Sequence, residues 1–223
     1  SIRRQRQMCI RDSYSIKDNL SPIPEKIILN NLNKDSFING IPIAQEFDLE
    51  KISENEYVVS DIISVQGEIG ISAEIYDKIN GQPFNFGLYK IKLEIDSTII
   101  YQAEYNHINF SEGYKVFCER DYGKYNFERK KVYSLYKKNN YEPSSFIMSI
   151  PIEKIIFNDR GYHKCLVTAS DFNGNEIKIN FNLLSSKNKN TTIDFKDHKD
   201  GWLVESNDDR LESIKLYFIN DFD

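Results

Sequence analysis

Strict alternation of apolar and polar residues constrains this chain more than any other feature. In GEIGISAEIYD, which starts at Glu68, the residues Ile69, Ile71, Ala73 and Ile75 alternate with polar or small ones. In LYKIKLEID, Tyr89, Ile91, Leu93 and Ile95 oppose Lys90, Lys92 and Glu94. HKCLVTA sets His163, Cys165, Val167 and Ala169 against Lys164, Leu166 and Thr168, and EIKINFNLL aligns Ile177, Ile179, Phe181 and Leu183. Successive side chains of a strand point to opposite faces, so a period of two gives each strand one apolar face to bury. Turn chemistry separates the runs: Asp96–Ser97 leads into TIIYQAEYN, and Asn173–Gly174 is a strong hairpin signal. Several short strands with turns between them predict an all-β fold, an antiparallel β-sandwich.

The rest of the chain fills in around these strands. Pro22 and Pro24 favour extended or turn structure, so residues 14–25 read as a linker. KIILNNL, at 26–32, suits a first strand of a domain spanning 26–184. Residues 33–55 read as polar and irregular, with Asn39–Gly40 as a turn. Residues 111–142 break the alternation: in FERKKVYSLYKKNN, Phe127, Val132, Leu135 and Tyr136 are at loosely helical spacing, which predicts one short helix in an aromatic insertion. SSKNKN, at 185–190, is a polar linker. Beyond it TTIDF, GWLVES and SIKLYFI predict a small C-terminal strand set over 191–223, the start of a truncated module.

Composition excludes more than it assigns. The 223 residues are 40% hydrophobic, 28% charged and 13% aromatic, a globular balance too rich in aromatics for disorder. No apolar run approaches the roughly 18–20 residues of a membrane-spanning helix. A net charge of −5 argues against a nucleic-acid footprint across the whole domain. Three cysteines make neither a disulfide framework nor a cysteine-rich zinc site. The string RRQRQMCIRDS, residues 3–13, resembles the translation of a transposase sequencing adapter in one frame. On that reading residues 1–13 are an artefact, their arginines and Cys9 carry no function, and the chain is a fragment of something longer.

The groups able to do chemistry are scattered. His107, His163 and His198 form no HxH, HExxH or HxxxD pattern, and zinc needs three or four ligands at defined positions. His163 and Cys165 share a strand face, which suits packing better than a nucleophile and its base. Asp171, Asn173 and Asn175 in DFNGNE begin like a calcium loop, but Gly174 is at position four and Asn182 at position twelve, so the hairpin turn is the better reading. The segment 114–142 interleaves Lys115, Arg120, Lys124, Arg129, Lys130, Lys131, Lys137 and Lys138 with Tyr and Phe. Such a surface can bind an anionic polymer or stack on sugars, but charge runs are usually solvated faces. Cys118 and Cys165 would pair only if the fold brought them within disulfide geometry. Asp208–Asp209 reads as a turn, and there is no glycine-rich phosphate loop. No residue is assigned a catalytic, cofactor-binding or metal-binding role.

Three stretches in order resemble one family. SIKDNLSPIPEKIILNNL is similar to the segment that follows the catalytic domain in certain lysostaphin-type (LytM-like) zinc metallopeptidases of gram-negative bacteria. GEIGISAEIYDKINGQPFNFGLYKIKLEIDSTIIYQAEYNHINFSEGYKV resembles their accessory β-sandwich, through YD, the G.Y.I.L..D pattern and IY. ERDY and GYHKCLVTASDFNGNEIKINFNL complete a likeness over roughly residues 14–184. The resemblance implies an immunoglobulin-like sandwich that is the non-catalytic accessory part of a peptidoglycan endopeptidase. Zinc is expected in an upstream catalytic domain, on HxxxD and HxH motifs that no position here matches. The expected partners are that catalytic domain and peptidoglycan or an envelope protein, without nucleic acid or a transmembrane segment, in the periplasm or cell envelope. The alternative is an immunoglobulin-like adhesion or carbohydrate-binding module of another envelope protein.

Overall fold

The computed structural model describes residues 18–105, 111, 115, 119–138, 147–149, 155–186, 193–198 and 201–206. The chain divides into two compact units, Ser1–Ser186 and Lys187–Asp223. Among the described residues of the second unit, β13 (Ile193–His198) and β14 (Gly201–Ser206) form an antiparallel hairpin. These are the predicted TTIDF and GWLVES strands; SIKLYFI lies outside the described residues.

The first unit is organised by one long strand, β5 (Glu56–Tyr76), which changes partners along its length. Its first half pairs with β12 (Glu176–Ser185) in parallel, from Glu56 opposite Lys178 to Val65 opposite Ser185. From there the sheet continues antiparallel through β11 (Tyr162–Ser170), β6 (Lys90–Ile95), β7 (Thr98–Glu104) and β9 (Ile147–Ser149). The second half of β5 pairs antiparallel with β1 (Ile23–Asn31) on one side and β8 (Val132–Ser134) on the other. β3 (Gln45–Asp48) flanks β1, while β2 (Phe37–Ile38), β4 (Glu50–Lys51) and β10 (Ile156–Phe157) attach to β5. The result is a mostly β protein with one large mixed sheet. The expected purely antiparallel pattern fails at β5–β12, where two strands far apart in sequence run the same way.

Gly67 marks the change of partners. Gln66 faces Phe37 of β2, Gly67 faces Phe157 of β10, and Ile69 faces Asn31 of β1. Gly67 has φ +78°, a left-handed conformation in the middle of a strand. A methyl group there would sit 2.8 Å from the Asp35 carbonyl and 2.9 Å from Ser36 Oγ. That hydroxyl, fully buried, accepts from the Glu68 N–H at 2.9 Å and donates to Asn33 Oδ1 at 2.7 Å.

The alternating residues do what their pattern predicts. Ile69, Ile71, Ala73, Ile75, Ile91, Leu93, Val167, Ile177, Ile179 and Leu183 are fully buried and join Ile27 and Leu29 in one cluster. At roughly 1.5–3 kcal/mol for each large apolar side chain, this cluster is the main favourable term in the fold. The stretch from Glu68 is not half-buried as expected, because Ser72 and Glu74 on its other face are buried too. Asp96 and Ser97, with φ of 50° and 66°, make the predicted tight turn between β6 and β7. Asn39 and Gly40, with φ of 49° and 75°, make another.

Three local expectations are corrected. The linker 14–25 gives way to β1 from Ile23, with Pro24 opposite Ile75 and a register shift between Pro24 and Lys26. Residues 33–55 are not irregular throughout, since they supply β2, β3 and β4. The helix expected in FERKKVYSLYKKNN is absent at Val132–Ser134, which is β8; a single π-helical turn lies earlier, at Lys124–Glu128. Pairing with β5 satisfies the backbone of Val132–Ser134, and Val132 to Leu135 are all buried, as in a strand covered on both faces.

Candidate functional site

Three carboxylates from distant parts of the first unit meet at one end of its strands. Asp18 precedes β1, Asp77 follows β5, and Asp171 opens the turn from β11 to β12. One ligand atom from each lies within 4.8 Å of the others. Asp77 and Asp171 are each 4% exposed, and Asp18 is half-buried. A backbone N–H near each residue orients its carboxylate: Leu20 donates to Asp18 Oδ1 (3.1 Å), Lys78 to Asp77, and Asn175 to Asp171 Oδ1 (2.8 Å). Asn175 Nδ2 also donates to Asp171 Oδ2 (2.7 Å) and to the Asp18 carbonyl (3.2 Å), linking the N-terminal segment to the turn. Asp77 Oδ1 is sealed from solvent with no hydrogen-bond partner. Burial, opposed by the Lys78 N–H and reinforced by Asp171 and Asp18, pushes the Asp77 carboxyl up to about 6. Asn175 also lines a depression of about 380 Å³ with Ser21, Asn55, Gly174 and Lys178.

The predicted turn over DFNGNE is present. The Asp171 N–H bonds the Asn175 carbonyl at 3.1 Å, and Gly174 takes φ +89°. The sequence could not show that Asp171 also faces inward onto Asp77 and Asp18. Those residues are 94 and 153 positions away, and each is an ordinary loop aspartate by its local context.

His163 is held between two carboxylates. Its Nδ1 lies 2.7 Å from Asp96 Oδ2 and its Nε2 lies 3.2 Å from Asp159 Oδ1, while Phe157 packs edge-on against the ring at 5.3 Å. Burial pulls the imidazole down, but the two hydrogen-bonded aspartates outweigh it, and the net shift is upward. Asp159 is held down to about 2, by the Gly161 N–H first, then Ser185 and His163. Asp96 is also lowered, by His163 and by the Lys164 N–H that bonds its Oδ1 at 2.9 Å. Asp96 thus ties the β6–β7 turn to β11. Cys165, two residues on, is 3% exposed, and burial pushes its thiol well above the usual range. A thiol so held is no thiolate nucleophile, and both nitrogens of the adjacent histidine are committed.

The basic–aromatic segment is largely built into the fold where it is described. The Arg120 guanidinium lies over the Tyr133 ring at 5.0 Å, and the buried Tyr133 hydroxyl accepts from the Leu88 N–H at 3.0 Å. Lys124 and Lys26 both pair with Glu46 of β3 and hold its carboxyl down to about 2. Lys130 pairs with Glu128, and Lys131 lies over Tyr125. Phe127 is 85% exposed. His107, Cys118 and Asp208–Asp209 lie outside the described residues, as does the side chain of His198.

The resemblance places its zinc in an upstream catalytic domain, and the one described imidazole here, that of His163, is doubly hydrogen-bonded. The acid cluster is all oxygen, a donor set for a hard cation and not for zinc. No family model, curated protein or solved structure matches this chain.

Proposed function

We propose that the chain is a non-catalytic accessory β-domain of a peptidoglycan-hydrolysing zinc metallopeptidase. Its task would be to position a catalytic domain, carried elsewhere in the parent protein, on the wall of a cell envelope. The observation that carries the non-catalytic part is the setting of His163 and Cys165: the imidazole bridges Asp96 and Asp159, and the thiol is buried. The family part rests on the ordered sequence likeness over residues 14–184. The order of its pieces is its specific part, and those pieces supply the second half of β5, β6, β7, β11 and β12, which belong to one hydrogen-bonded sheet. We also read the two halves of β5 and their partners as the two faces of an immunoglobulin-like sandwich. The support is that the inward residues of both halves enter one buried cluster.

A long read of the source locus through the codon for Tyr14, from a library made without transposase, tests the family reading. In-frame HxxxD and HxH motifs upstream are the expected result. An adhesin upstream overturns it in favour of a binding module of another class. Hydrolysis of purified sacculi by this chain alone would sink the non-catalytic reading.

A further inference from the structure

We propose that Asp18, Asp77 and Asp171 form a calcium-binding site that fastens the segment leading into β1 to the end of β5 and the β11–β12 turn. The inference stands on the geometry of the cluster and is independent of the family reading.

Two observations point to an ion. The first is convergence. Oxygens that share a Ca²⁺ at roughly 2.3–2.6 Å lie no more than about 5 Å apart, and the three carboxylates meet that limit at 4.8 Å. The second is the Asp77 Oδ1 atom, which is buried and has no donor, on a carboxylate that converges with two others. Leaving a buried carboxylate oxygen without a partner is costly, and two like charges beside it add to the cost. Among the described residues no lysine or arginine comes to pair with any of the three. Lys78, next in sequence to Asp77, instead donates to the Pro83 carbonyl and lies over the Tyr76 ring. A cation at the centre of the cluster would supply the missing partner for Asp77 and neutralise the other two.

The donor chemistry selects the ion. Three carboxylates without nitrogen or sulfur suit a hard cation, and waters or backbone carbonyls complete the six to eight oxygens that calcium takes. Magnesium demands near-ideal octahedral geometry and gives up its waters reluctantly, which fits poorly with a trio two of whose members are buried. The consequence is structural. Asp18 lies outside the strands, so the ion would hold the N-terminal approach to β1 against the sheet end, adding to the Asn175 contacts.

The test uses the full chain with Ca²⁺, EDTA and Tb³⁺, a luminescent analogue of Ca²⁺. Wild-type protein is expected to show saturable Tb³⁺ emission displaced by Ca²⁺. Its Tm should rise by about 5–10 °C over that in EDTA when Ca²⁺ is at a hundredfold excess over its Kd. Asp77→Asn should weaken Tb³⁺ binding at least tenfold and abolish the Tm response, while melting in EDTA at or above the wild-type temperature because a buried charge is gone. Asp18→Asn, at a half-buried loop position, gives the same reading should Asp77→Asn fail to fold. Superposed melting curves in Ca²⁺ and EDTA overturn the site and leave a proton as the neutraliser of Asp77. Equal emission from wild type and the variant, or a Mg²⁺ response as large as that to Ca²⁺, also overturns it.

Discussion

Replacing Gly67 by alanine tests the claim that β5 changes partners through a residue only glycine can supply. Two costs add. A β-carbon at φ +78° costs roughly 1–2 kcal/mol in the left-handed region. Contacts of 2.8 Å to the Asp35 carbonyl and 2.9 Å to Ser36 Oγ force a shift of backbone, for which overpacking costs of about 1–3 kcal/mol apply. Against them, alanine restricts the unfolded chain and recovers about 0.4–1 kcal/mol. The net is a loss of about 1–4.5 kcal/mol, a fall in Tm of roughly 2–18 °C for a unit of this size. Gly40→Ala is the control: its φ is +75°, but no atom lies within 4 Å of the added methyl, so only the conformational cost remains, about 1 kcal/mol after the same offset. Thermal melts and urea titrations of the two variants beside wild type separate the terms. Equal losses in the two would refute the argument, for the packing of the 35–36 turn under β5 would then contribute nothing.

Tyr133→Phe strands the Leu88 N–H in a buried position and should cost about 1–3 kcal/mol in urea unfolding, with little change in m-value. The His163 clamp makes stability depend on pH in two windows. The imidazole's share is complete below its unfolded value of 6.5 and is lost as pH rises through its raised folded value. The Asp159 share is present above 3.8 and is lost as pH falls towards about 2. His163→Gln should therefore flatten the fall of Tm as pH rises above the ordinary histidine value, and an unchanged slope would count against the clamp. Iodoacetamide should leave the Cys165 peptide unlabelled in native protein at pH 8 and modify it in urea, as read by mass spectrometry; rapid native labelling would contradict its burial.

The strands were legible because their signal is local. Ile91, Leu93 and Ile95, or Ile177 to Leu183, announce a buried face within seven residues, and the Asp96–Ser97 and Asn39–Gly40 turns follow from which residues tolerate positive φ. What failed depended on partners out of reach of any window. Val132 and Tyr133 became a strand because Glu74 to Ser72 of β5 offered an edge, and local spacing cannot register that. The parallel pairing of β5 with β12 is invisible for the same reason, since alternation fixes which face is buried and not which neighbour lies alongside. The acid cluster shows both sides. DFNGNE announced a turn rich in oxygen donors, but its meaning depends on Asp77 and Asp18, which nothing in their own neighbourhoods distinguishes.

The β5–β12 pairing also sets a timetable. Glu56 must wait for Lys178, 122 residues later, and β12 sits between β5 and β11, so the sheet cannot be completed until the chain has been made almost to its second unit. At synthesis rates of about 5–20 residues per second that wait is roughly 6–24 s, during which the Val59, Ile63 and Val65 row of a nascent chain lacks its partner strand. Contacts of such long sequence separation slow folding and prolong the exposure of unpaired strand edges. A polypeptide cut short before Glu176, where β12 begins, would keep that edge open permanently, and chaperone capture or aggregation is the fate such a product should meet.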